Sequence, residues 1–193
     1  MLLSTFHLLV FCLASSVSGL VLPAVQPNVD IPCTFRGANI PLRLNGGTVL
    51  LNVQGELTLR EVIKDTKKIG LKLIKFNGSA TDPMLGNVKF EQVLDKTPST
   101  GSIPVTDILA GGPYLSFYAN LKVTSQHSLA SPSGFTLYTL QEAKFVAPQV
   151  NALPPISQYF QLESPISLGS LGADPATSTQ GFPSFSIVVN AIL

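Results

Sequence analysis

From Val49 to Arg60 apolar and polar side chains take turns. Val49, Leu51, Val53, Leu57 and Leu59 fall on one side of an extended chain, and Asn52, Gln54, Glu56, Thr58 and Arg60 on the other, with Gly55 interrupting the apolar row. A period of two residues is that of a β-strand, so the segment has one face to bury and one to leave in water. Leu115, Phe117, Ala119, Leu121 and Val123 repeat the pattern against Ser116, Tyr118, Asn120, Lys122 and Thr124. So do Phe185, Ile187, Val189, Ala191 and Leu193 against Ser184, Ser186 and Asn190, which makes the extreme C-terminus a packed strand. Weaker strands are expected at 40–44, 69–76, 88–94, 135–142 and 159–167. Turn signals separate them at Asn45-Gly46-Gly47, Asn77-Gly78, Asp82-Pro83, Pro98 to Gly101, Gly111-Gly112-Pro113 and Pro132 to Gly134.

Sheets with one apolar face must bury it against another layer or close on themselves. The expected fold is therefore all-β: an antiparallel β-sandwich, or alternatively a flattened β-barrel, with long loops and at most one short helix. The helix candidate is "LREVIKDTKK", where Leu59, Val62, Ile63 and Thr66 have the spacing of one helical face. Its β-branched Val62-Ile63 pair fits a continuing strand equally well. Residues 146–184, with six prolines, are expected to be mostly loop over the sheets.

A length of 193 residues suits one domain with a substantial core. The first 19 residues have the outline of a secretory signal peptide: an apolar run from Phe6 to Ala14, then small residues, with cleavage before Gly19 or Leu20. The expected organisation is a signal over 1–19 and a single β-sandwich domain over 20–193, secreted and with no transmembrane segment after cleavage. Cys12 leaves with the signal, so the mature chain retains Cys33 alone and forms no internal disulfide. Cys33 reads as a small buried hydrophobe beside Pro32 and Phe35, with an intermolecular bridge or a reactive thiol as the competing role. Asn77-Gly78-Ser79 is a glycosylation sequon, which makes Asn77 a candidate glycan acceptor.

Reactive chemistry is sparse. The mature chain has one histidine, His127, and no Gly-x-Ser-x-Gly elbow, so a serine triad has little to stand on. Close His/Cys pairs for zinc are missing, as is an Asp-x-Asp-x-Asp loop for calcium; Asp82, Asp95, Asp107 and Asp174 lie beside turns. No glycine-rich phosphate loop follows a strand and opens a helix. No catalytic residue, cofactor or metal ligand is assigned, and an enzyme is not the expected reading. A hydrolase needs only two acids held at a set distance, and Glu56, Glu61, Glu91, Asp95, Asp107, Glu142 and Glu163 supply many pairs, so that class stays open.

Charge is segregated within a chain of net +1. Arg60 to Lys75 carries six basic and two acidic side chains, a local +4. Arg60, Lys64, Lys67, Lys68, Lys72 and Lys75 form a candidate strip for an anionic surface or acidic polysaccharide. The competing reading is the outward row and end-loop of an edge strand, where lysine discourages aggregation. Nucleic acid is not an expected partner, because no aromatics are interleaved with these lysines. Three functions follow in order: a secreted, non-catalytic binding or structural module; an extracellular carrier of a hydrophobic ligand, suggested by 45% hydrophobic residues; and a carboxylate-based hydrolase.

Overall fold

The computed structural model describes residues 28–65, 68–101, 103–104, 115–127, 133–148 and 155–192. The segment expected to be a signal peptide lies outside them. The described residues form thirteen strands and a single 3-10 turn at Pro175–Thr177. Three strands are long: β1 (Asp30–Leu44), β2 (Gly47–Asp65) and β3 (Lys68–Asp82). The other ten are shorter: β4 (Gly86–Gln92), β5 (Ile103–Pro104), β6 (Leu115–Ala119), β7 (Leu121–Ser125), β8 (Phe135–Thr139), β9 (Ala143–Ala147), β10 (Gln158–Leu162), β11 (Ile166–Gly169), β12 (Gln180–Phe182) and β13 (Ser186–Ala191). All pairings are antiparallel.

Hydrogen-bonded neighbours run β12-β11-β8-β7-β4-β3-β2-β1, and β1 then meets β12 at Arg43 and Gly181. That contact closes an eight-stranded barrel. From the other half of β1 the sheet continues through β13, β10, β9 and β6. It curls back toward β3 at Gly101, whose N–H donates to Leu71 O at 2.9 Å and which packs against the carbonyl of Ser116 in β6. The long β1–β2–β3 ribbon thus serves the barrel with one half and a second curled sheet with the other. Closure removes free edges, which two stacked open sheets would retain. The fold accordingly matches the flattened barrel expected as the alternative rather than the sandwich expected first.

Alternation places the core. On β2, Val49, Leu51, Val53, Leu57 and Leu59 are buried while Leu50, Asn52, Gln54 and Glu56 are exposed. Phe117, Phe145, Phe160 and Phe182 are fully buried, each contributing about 1.5–3 kcal/mol relative to exposure. Their rings form a path through both halves: Phe90 to Phe182 at 6.2 Å, Phe182 to Phe185 at 5.2 Å, Phe185 to Phe145 at 5.5 Å, Phe145 to Phe117 at 5.0 Å and Phe117 to Phe160 at 5.1 Å. The barrel interior and the second sheet share one core.

Several local expectations change. The helix candidate lies in β2 as far as Asp65, where cross-strand pairing to β3 suits Val62 and Ile63; Thr66 and Lys67 lie outside the described residues. Asn77-Gly78 is the middle of β3 and not a turn, since both residues pair with β2 and β4. Residues 146–184 carry β10, β11 and β12, because Tyr159 and Gln161 face outward between inward Phe160 and Leu162. The run from Leu115 to Val123 breaks at Asn120, where the chain leaves the second sheet for the barrel. Asn120 O accepts from Val93 N–H at 2.9 Å at this corner, and Asn120 Nδ2 reaches Glu142 Oε1 at 3.4 Å.

Candidate functional site

Of the basic strip the structure describes the side chains of Arg60, Lys72 and Lys75, and two of these are neutralised. Arg60 donates to Asp30 of β1 through Nε at 2.5 Å and through its second nitrogen at 3.0 Å, and Lys75 lies 3.7 Å from Glu56 of β2. Lys72 stands opposite Arg60 across the β2–β3 pairing. Lys67 and the side chains of Lys64 and Lys68 lie outside what the structure describes. β3 pairs with β4 from Asn77 to Asp82 and with β5 at Lys68 and Ile69; between them the stretch bearing Lys72 and Lys75 has β2 as its paired strand among the described residues. That stretch is compatible with edge protection, and two of the strip's outward cations, Arg60 and Lys75, sit against acids.

Two clefts open where the long ribbon changes partners. β1 pairs with β13 over Cys33–Arg36 and with β12 at Arg43; between these contacts it bulges at Gly37–Ile40. Asn39, with φ of 53°, is pinned there by its N–H donating to Asn52 Oδ1 at 3.0 Å. The bulge leaves an outward groove of about 490 Å³ beside Arg36, Gln54, Tyr159 and Val188. Those four are consecutive cross-strand neighbours on β10, β13, β1 and β2. Tyr159 is 50% exposed, and Arg36 and Gln54 are exposed. Among the described residues Arg36 has no ion pair and Gln54 no side-chain hydrogen bond. An adjoining cleft shares Arg36 and Gln54 and adds Thr34, Glu56 and Asn190. An uncommitted guanidinium, an amide and an aromatic ring on a rigid sheet make a polar recognition surface for an anionic, partly apolar ligand.

Most of the remaining acids have local partners. Glu56, Glu91 and Glu163 face Lys75, Lys122 and Lys144 at 3.7, 3.5 and 2.7 Å. Glu142 Oε1 accepts from Ser99 N–H at 2.8 Å. Asp82 Oδ1 accepts from Met84 and Leu85 N–H, and Asp174 Oδ1 from Ala176 N–H, so both aspartates build turns. Asp107 lies outside the described residues. Among those residues no cluster of three His, Cys, Asp or Glu side chains is placed to hold a metal ion. Cys33 is 1% exposed, and burial pushes its thiol up to about 12, so it is a protonated core residue. Glu61, 7% exposed on the inward phase of β2, is likewise raised by burial.

Arg36 and Tyr159 escaped the sequence reading, although Ile31, Cys33 and Phe35 alternate with Asp30, Pro32, Thr34 and Arg36 as regularly as the residues of β2 do. Pro32 and the glycine after Arg36 masked that strand, and nothing in sequence puts Arg36 beside Tyr159. The chain matches no family model, and no curated protein matches it. Among solved structures it is similar in fold to DynF from the dynemicin biosynthesis pathway of Micromonospora chersina. The TM-score is 0.61 at 12% identity, over 90% of each chain. At that identity the likeness concerns fold alone.

Proposed function

We propose that the protein is a secreted, non-catalytic binding module whose groove beside the β1 bulge takes an acidic polysaccharide. The observation that carries this reading is the uncommitted Arg36 guanidinium beside half-exposed Tyr159 in an outward groove. Guanidinium forks match carboxylates in a bidentate geometry that lysine lacks, and a tyrosine ring offers a flat apolar face to a sugar. Asn52 acts indirectly by holding the bulge that opens the groove. No helix among the described residues is long and apolar enough to cross a membrane.

Titration calorimetry with a uronate polymer and a neutral glucan tests the proposal. The expected result is binding of the uronate alone, weakening toward about 0.15 M salt. Arg36→Gln is expected to reduce affinity by about tenfold or more, the worth of a charge-assisted hydrogen bond. Uronate binding that survives both Arg36→Gln and Tyr159→Ala, or no binding at low salt, overturns the groove.

The carrier reading draws on barrel closure, since eight strands enclose just enough space for side chains or one small ligand. Buried Phe90 of β4 and Phe182 of β12, with centroids 6.2 Å apart, use that space, which weighs toward the groove. A hydrolase would draw on Glu91 and Asp95, which share a cleft, but Glu91 is held by Lys122. DynF's place in a biosynthetic pathway favours none of these, because one fold hosts many functions.

A further inference from the structure

A further cleft, of about 480 Å³, opens at the opposite fork, where β3 passes from β4 to β5. Its chemistry differs from that of the first. Lys75 and Lys122 are balanced by Glu91 and Asp95, so the cleft offers no net field to a charged ligand. Gln92, 9% exposed, forms part of its wall. The Gln92 amide nitrogen points to the carbonyls of Val93 at 3.4 Å and Lys96 at 3.5 Å, which fixes the orientation of the amide. Its Oε1 is the one buried side-chain polar atom among the described residues without a partner. That oxygen is sealed on the inward phase of β4, so it is the balanced charge of the outward Glu91 and Lys122 that suits a neutral, hydroxyl-rich occupant.

Asn77 stands at the near end of this cleft, exposed on the outward face of β3 with Ser79 of its sequon on the same face. Cross-strand pairing carries the row from Asn77 to Glu91 on β4, Lys122 on β7 and Tyr138 on β8. At a strand spacing of about 4.8 Å, Tyr138 lies roughly 14 Å from Asn77. We propose that Asn77 carries an N-linked glycan whose proximal sugars lie in this cleft, along Glu91 and Lys122 toward Tyr138. The donor is a lipid-pyrophosphate-linked oligosaccharide, joined by the host transferase. The Asn77 amide nitrogen bonds to C1 of the first acetylglucosamine, the C1–O bond breaks, the lipid pyrophosphate leaves with the electron pair, and the amide proton is lost to solvent. The proposal rests on the extracellular routing proposed above.

The full chain is expressed in a eukaryotic secretory host, with and without a heterologous leader ahead of it, and intact mass is followed during enzymatic deglycosylation. The expected result is a glycan on Asn77, lost in Ser79→Ala, and released about tenfold more slowly from native than from denatured protein, the protection given by one net hydrogen bond to a charged group. Lys122→Ala with Tyr138→Ala is expected to erase that protection while occupancy stays unchanged. Glycan found only behind the heterologous leader overturns the routing and leaves the cleft assignment standing. An unmodified Asn77 behind that leader, or equal release from native and denatured chains, overturns the proposal.

Discussion

Gly55 and Gly78 face each other across β2 and β3 where the ribbon passes between the two sheets, and the Phe35 ring packs over Gly78. A Cβ on Gly55 would lie 2.1 Å from Asn77 O, a backbone atom that cannot swing aside. Gly55→Ala is therefore expected to cost about 1–3 kcal/mol, read as a lower urea midpoint at unchanged slope. Glu61 gives a second residue-level test. Burial raises its folded-state pKa above the ordinary value of 4.5, so the fold favours the protonated acid while the unfolded chain ionises at lower pH. Stability should thus fall as pH rises from about 4.5 through the raised pKa, and level off above it. Glu61→Gln is expected to be more stable than the parent at pH 7 and equal to it once both states of the parent are protonated. A variant less stable at pH 7 would mean that the carboxylate has a favourable partner.

Elements were legible to the degree that each strand stays in phase with one neighbour. β2 and β13 could be read because Leu57, Leu59, Ile187 and Val189 keep a strict period of two on strands paired on both sides. The split between β6 and β7 was hidden because Asn120 preserves the alternation while the chain changes sheet. Alternation reports which side of a strand is dry; it carries no information on which strand lies alongside. Barrel closure through Arg43 and Gly181, and the meeting of Arg36 with Tyr159, arise only from such long-range pairing. β13 also yields a prediction, since it lies between β1 and β10 with Ile187 and Val189 in the core. Removing residues 186–193 is expected to abolish cooperative folding, although terminal residues are usually dispensable. A truncated chain melting near the parent temperature would refute this. Lys67, together with Lys68 and Lys72 of β3, changed to Gln should leave polyanion binding unchanged if the Arg36 groove is the site, whereas loss of binding in that triple variant would return the assignment to the lysine strip.

For the whole molecule the main consequence is coupling. Two separate sheets could melt separately, but here β1, β2 and β3 belong to both, and the aromatic path from Phe90 to Phe160 crosses between them. Unfolding one half would strip partners from the ribbon on which the other half is built. The molecule is therefore expected to unfold in a single transition despite its two-part layout. The chain contains no tryptophan, so single tryptophans can report each half without interference. Tyr138→Trp on β8 reads the barrel, and Tyr159→Trp on β10 reads the second sheet. Under urea, the two fluorescence curves and the far-ultraviolet circular dichroism are expected to share one midpoint and one slope. A Tyr159→Trp transition at clearly lower urea than the Tyr138→Trp transition, each matched by only part of the dichroism change, would show that the second sheet is a separable annex to the barrel.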